Sequence, residues 1–179
     1  MRINLGCGHN PIPGWINADI RSGLGVDIVL DAEKPLPFKT SSIDEIRAFG
    51  LLEHLWHWEL LMTEAARVLR AGGAFGIRVP YKTDYVPYHV RHFDKNSFNP
   101  YRSDYRHRDY DLRRRTHSFA SLEFSEPYFT LDEMWVEHWI PFTWHIEKYL
   151  RIKNVSRLPI GRRLNLNVTL RRNGEPWRP

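Results

Sequence analysis

The sequence predicts an α/β protein built on an open, mostly parallel sheet, with an antiparallel strand near the C-terminal end and a shortened first crossover helix. Three observations carry this. Short apolar runs at 2–5, 15–20 and 26–30 end on glycine or aspartate. A helical spacing over 54–70 is followed by a further apolar run at 74–79. LNLNVTL at 164–170 alternates strictly, with Leu164, Leu166, Val168 and Leu170 on one side and Asn165, Asn167 and Thr169 on the other.

Taken in order, the first strand ends at Gly6 and the second, WINADI, closes on Asp19. So few residues separate them, Pro11 and Pro13 included, that the linking helix is reduced to at most a turn. VDIVL forms a third strand, ending at Asp31, and DEIRAF at 44–49 a fourth. Leu55, Trp58, Leu61, Met62, Ala65, Ala66 and Leu69 then share a helix face, with Gly72 and Gly73 placed to stop the helix. AFGIRV at 74–79 makes a fifth strand, bounded by Pro80. Residues 81–127 show no period and are dense in Tyr, His and Arg, which points to a functional insertion, a lid that covers a substrate or small elements of their own. Strand character returns at 129–140, and a helix is expected over 142–152.

The 179 residues predict one domain, 1–179. Without an apolar run of about 18 residues there is no membrane span. The sequence enters a strand pattern directly, so no secretory signal is expected. The single cysteine, Cys7, forms no internal disulfide, so a cytoplasmic location is expected. The net charge of +5 is uneven, with arginine concentrated in 102–115 and 151–172. Interleaved aspartates favour reading 102–115 as a solvated face over an anion-binding patch. Trp135, Trp139, Phe142, Trp144 and Tyr149 read as core or interface, a homodimer interface being one version.

In an open α/β sheet, ligands bind beyond the carboxyl ends of the strands. There the sequence places Gly6 and Gly8, then Asp19, then Asp31. A carboxylate at the second strand end suits a vicinal diol, although Asp19 alone reads as a turn or N-cap aspartate. The ordered set INLGCG, Asp19, DAEKPLPFKTSSIDEI, LLEHL and ARVLRAGG resembles the class I, Rossmann-like S-adenosylmethionine-dependent methyltransferases. It is most similar to their small-molecule, ubiquinone-biosynthesis-like branch. The resemblance is close over 1–80 and fades afterwards.

That resemblance implies an enzyme with S-adenosyl-L-methionine as cofactor and S-adenosyl-L-homocysteine as product. Gly6 and Gly8 would let the backbone approach the methionine end, Asp19 would bind the ribose hydroxyls, Asp31 with Ala32 beside it would face the adenine amino group, and Asn4, Cys7, Asn10 and Ile20 would complete the cofactor-binding set. Phe49, Gly50 and Leu51 would border the amino-acid group and the acceptor, and Glu53 and His54 match the family's E-H pair. Asn10 stands where the family carries a third glycine, and asparagine tolerates φ > 0. A pyrophosphate uses a helix N-terminus for its charge. The pruned helix therefore disfavours a dinucleotide and is tolerable for a phosphate-free sulfonium.

Methyl transfer from a sulfonium is an in-line displacement that needs neither a metal nor a covalent intermediate. Alignment can supply on the order of 7–11 kcal/mol of the barrier reduction, and a general base roughly 10²–10⁴-fold. His54, His89 and His92 are the catalytic candidates, with Tyr81, Tyr85 and His92 facing substrate; packing or solvent-exposed roles for these histidines stand beside that reading. His54/His57 and His89/His92 each have an H-x-x-H spacing, but EHLWH is not the H-E-x-x-H zinc helix, so no metal is expected. The acceptor is expected to be a small molecule. One alternative is RNA methylation through the arginine-rich stretch, although RAFGLLEHL lacks the Asn/Asp-Pro-Pro-aromatic sequence common in base N-methylating enzymes. Another is a non-catalytic scaffold that keeps the fold.

Overall fold

A computed structural model describes residues 1–81, 86–104, 128–138 and 164–174. Its centre is one seven-stranded sheet in the order β3-β2-β1-β4-β5-β7-β6. The strands are β1 (Arg2–Leu5), β2 (Ile16–Asp19), β3 (Ile28–Val29), β4 (Ile43–Phe49), β5 (Leu69–Pro80), β6 (Phe129–His138) and β7 (Leu164–Arg172). The pairings from β3 across to β5 are all parallel, and β7 runs antiparallel to both its neighbours. The predicted open sheet and its antiparallel strand are both present.

Alternation along the strands sorts residues onto two faces. Ile3, Leu5, Ile46, Ala48, Phe75, Ile77, Val79, Leu166, Val168 and Leu170 form the buried face. Against it packs α1 (Trp58–Val68) through Leu61, Met62, Ala65 and Ala66. The helix is shorter than the 54–70 period suggests: Leu52–His54 form a separate 3₁₀ turn, and Leu69 is already extended, at φ −69° and ψ 135°. Gly72 and Gly73 therefore lie in β5, not at a helix stop. They sit in a bulge where register jumps from Ile43↔Leu69 to Glu45↔Ala74. Buried Arg172, the last residue of β7, donates from Nε to the Ala66 carbonyl at 2.8 Å and ties sheet to helix.

The other face carries Arg2, Asn4, Arg47, Phe49, Arg78 and Asn167. No helix lies in 6–15, 20–27 or 30–42, the links between β1, β2, β3 and β4. A rail of cation–π contacts crosses this face instead. Arg2 and Arg47 stack on Trp15 at 5.0 and 4.6 Å, and Arg47 and Arg78 on Phe49 at 5.8 and 4.6 Å.

The crossover from β3 back to β4 is held by side chains of α1. Arg67 donates to the carbonyls of Leu36 and Phe38, each at 2.9 Å, and forks onto Glu64 at 2.6 and 2.7 Å. Glu64 also accepts from the Leu36 N–H at 2.6 Å. Desolvation pushes the Glu64 carboxyl up, but the Arg67 and Leu36 hydrogen bonds outweigh it and leave it below its ordinary value. Its stabilising contribution is therefore present above the unfolded glutamate range, near about pH 4.3. It is lost as pH falls through the lower folded value. Glu64→Gln should cost about 1–2 kcal/mol at pH 7 and flatten the acid limb of the stability curve. Urea titrations between pH 3 and 7 check this; parallel wild-type and variant curves would refute it.

Residues 86–104 fold back over the N-terminal end of α1. Trp58 meets Phe93, Phe98 and Tyr101 edge-on at 5.2, 5.8 and 5.3 Å, and Phe93 stacks on Phe98 at 5.7 Å. Burial, with Glu59 nearby, pushes the Tyr101 phenol up. The helix expected at 142–152, with Trp139, Phe142, Trp144 and Tyr149, lies outside the described residues, as do Tyr85 and residues 105–115 of the arginine-rich stretch.

Candidate active site

Strand order reverses between β1 and β4, which makes the crevice beyond their carboxyl ends the topological switch point. Gly6, Gly8 and Gly14 take positive φ of 64°, 50° and 74° in the link that follows β1. Asn10 does not: among the described residues the one non-glycine at positive φ is Ser41. The left-handed position predicted at Asn10 falls on Gly14. Asn10 instead closes a turn, donating to the Cys7 carbonyl at 2.8 Å and accepting from Asn4 Nδ2 at 3.1 Å.

A buried amide network takes the place of the missing helix. Asn17 Oδ1 accepts from Asn4 Nδ2 at 3.0 Å and from the Ile12 N–H at 2.7 Å. Asn17 Nδ2 donates to the carbonyls of Ile12 and Trp15, both at 3.2 Å, and to Asp27 at 3.3 Å. The next loop lies against this one so closely that a Cβ on Gly25 would stand 2.7 Å from Pro11. The absent helix is legible in the sequence; the role of Asn17 is not, its one signal being an asparagine in the middle of an apolar strand.

Asp19 holds the loop from the other side. One oxygen accepts from the Gly8 N–H at 2.9 Å, the other from the Arg21 N–H at 3.1 Å. Each retains lone-pair capacity for a further donor. Exposed Gly8 would find nothing within 4 Å of an added Cβ, so the space above it is open, whereas at Gly6 a Cβ would meet Leu51 at 3.0 Å. Cys7 is buried beneath the loop; desolvation, then Asp19 and Asp27, push its thiol up, which makes it a packing group. Asp31 accepts from the Glu33 N–H at 2.9 Å and pairs with Lys34 at 3.6 Å, with Ala32 buried beside it. Ile20 is 64% exposed at the rim.

Beyond β4, Phe49 is partly exposed and Gly50, at φ 69°, donates its N–H to the Arg78 carbonyl at 2.8 Å. The 3₁₀ turn then presents buried Glu53 and exposed His54. His54 meets His89 edge to face at 4.8 Å. His92 is exposed and stands outside this group, and Tyr81 bridges to Phe93 at the end of β5. The partnership between His54 and His89 was not legible in the sequence, because it depends on how 86–91 returns over the turn.

Residues 17–77 match the family model for a methyltransferase domain. Solved structures share the fold across nearly the whole chain. An S-adenosylmethionine-dependent methyltransferase from Thermotoga maritima aligns with 94% of this chain and 81% of its own, at TM-score 0.57 and 15% identity. The chain carries the class I methyltransferase fold. The 1,6-didemethyltoxoflavin-N1-methyltransferase of Burkholderia thailandensis, solved with S-adenosylhomocysteine and its substrate, aligns with 96% of this chain and 70% of its own, at TM-score 0.54 and 13% identity. A Mycolicibacterium smegmatis protein described as a probable S-adenosylmethionine-dependent methyltransferase is 39% identical over 56 residues, 31% of this chain. The chain spans about a fifth, 21%, of that relative's length. No helix among the described residues is long and apolar enough to cross a membrane.

Proposed function

We propose that the protein is an S-adenosylmethionine-dependent methyltransferase whose acceptor is a small molecule. The observation that carries the reading is the switch-point loop itself. Gly8 opens it to free space and Gly6 lets it pass close to Leu51, Asp19 closes the second strand, and no helix N-terminus stands behind it. A pyrophosphate would lack the N–H cluster and dipole it needs there, whereas a sulfonium cofactor without phosphate would not.

In this reading Asp19 accepts from the ribose hydroxyls, Ile20 and Ala32 flank the adenine, and Asp31 faces its amino group. Leu51, against Gly6, borders the methionine end. The described residues 86–104 of the segment 81–127 border the acceptor, supported by the return of 86–91 over the 3₁₀ turn after β4. His54 and His89, beside Glu53, stand where an acceptor's proton would leave. The likeness to the Burkholderia enzyme supports a small-molecule acceptor, and a single buried thiol supports a cytoplasmic setting.

Isothermal calorimetry with S-adenosylhomocysteine should show one site per chain, with Kd on the order of micromolar, and NAD should give no heat. Transfer of a labelled methyl group to a panel of small amines, phenols and carboxylates then identifies the acceptor class. Absence of homocysteine-product binding, or preferential NAD binding, would remove the reading.

A further inference from the structure

The two H-x-x-H pairs of the sequence are not used as pairs; the fold draws one histidine from each. Glu53, His54 and His89 each offer one ligand atom, and these atoms all lie within 4.8 Å of one another. Backbone bonds set the arrangement. The Glu53 carbonyl accepts from the N–H groups of Val90 and Arg91 at 2.8 and 3.2 Å, pinning the residues after His89 to the 3₁₀ turn. His54 Nδ1 lies 3.2 Å from the Tyr88 carbonyl, and the two rings stack at 5.9 Å. A carbonyl can only accept, so the proton of a neutral His54 sits on Nδ1 and the Nε2 lone pair is left for a ligand. Metal-ligating histidines are held in this way, by a carbonyl on the second ring nitrogen.

We propose that Glu53, His54 and His89 hold a divalent ion of the zinc class at the carboxyl end of β4, with one coordination position open. Two imidazoles and one carboxylate suit borderline-soft ions, whereas magnesium and calcium favour all-oxygen sets. Three protein ligands leave a fourth position for water or an acceptor atom. Bonds of about 2.0–2.1 Å in a tetrahedron put ligand atoms about 3.3 Å apart. Binding therefore draws the present set inward, a change within reach of side-chain rotation at exposed His54 and half-buried His89. The carboxylate lies beside the end of β4: a Cβ on Gly50 would stand 3.6 Å from Glu53 Oε1. Ion binding does not depend on the methyltransferase reading, which enters only in making the open position the acceptor's.

The full-length chain, stripped with chelator, is titrated with Co²⁺ and then Zn²⁺. The site predicts a visible Co²⁺ absorption that saturates at one ion per chain and is displaced by Zn²⁺. His54→Ala and His89→Ala should each weaken Zn²⁺ binding by more than the roughly 10–100-fold that loss of an outer-shell partner costs, with His57→Ala unchanged and circular dichroism confirming folding. Glu53→Gln should do the same; because Glu53 is buried, the two histidine variants carry the test if that chain fails to fold. No saturable band, or a band that survives both histidine substitutions, would overturn the site. Calorimetry with S-adenosylhomocysteine on the same samples separates the two readings. Loss of Co²⁺ binding with product binding intact in the His89 variant belongs to the metal site, and a Co²⁺ site in a chain that never binds the product leaves only the methyltransferase reading wrong.

Discussion

Replacing Asn17 by leucine should lower the unfolding free energy by about 3–5 kcal/mol, read from urea titrations at an unchanged m-value. Leucine has the same branched shape and number of side-chain heavy atoms as asparagine, so lost packing is not the cause. The cost lies in what the amide leaves behind. The Ile12 N–H and the Asn4 amide lose an acceptor, while the Ile12 and Trp15 carbonyls and Asp27 lose a donor. A buried polar group left unsatisfied costs about 1–3 kcal/mol, more than the net worth of the bond it made. The separate terms do not add fully, since Ile12 and Trp15 belong to a loop that can shift toward water. Asn17→Asp makes the complementary case: it keeps both acceptor bonds, loses the donor and sets a charge against Asp27, so it should also destabilise. A loss below about 1 kcal/mol for the leucine variant would mean that the loop is held by its Pro11–Gly25 packing instead.

The contrast between Asn17 and β7 shows what was legible. Strict alternation in 164–170, and the glycine or aspartate at each strand end, report local geometry, and strand identity, sheet class and the shortened crossover follow from it. The position of the switch point needs the strand order, which only the structure supplies. Contacts between distant segments have no such local signature. Asn17 reads as an ordinary strand asparagine until Asn4, Ile12 and Asp27 close around it. His54 and His89 are 35 positions apart and meet because the Glu53 carbonyl captures the backbone at 90–91. The Gly72–Gly73 pair misleads for a related reason. Glycine after a helical run suggests a cap, but pairing with β4 pulls Leu69 into the sheet and leaves the glycines to form the bulge.

Asp19→Ala should weaken S-adenosylhomocysteine binding by roughly 100-fold, about 2.7 kcal/mol, but the alanine variant alone does not say why. The carboxylate has two tasks on this geometry. It accepts from the Gly8 and Arg21 N–H groups and so shapes the loop, and in the proposed function its remaining lone-pair capacity takes the ribose diol. Asp19→Asn separates them. The amide oxygen can still accept from Gly8, while the NH₂ group can only donate, gives up the exposed Arg21 N–H bond and leaves one hydroxyl without an acceptor. If the ribose contact dominates, the asparagine variant should lose nearly as much affinity as alanine; if loop shape dominates, it should stay within a few-fold of the wild type. A 2′-deoxy analogue sharpens the choice. Wild-type protein should bind it roughly tenfold more weakly than the ribo form, since one charge-assisted hydrogen bond is worth about 1.5–3 kcal/mol. In the Asp19→Asn chain that preference should disappear. Equal affinity for both sugars in the wild type would show that Asp19 serves the loop alone, and the cofactor's ribose would then have to be held from the exposed rim around Ile20.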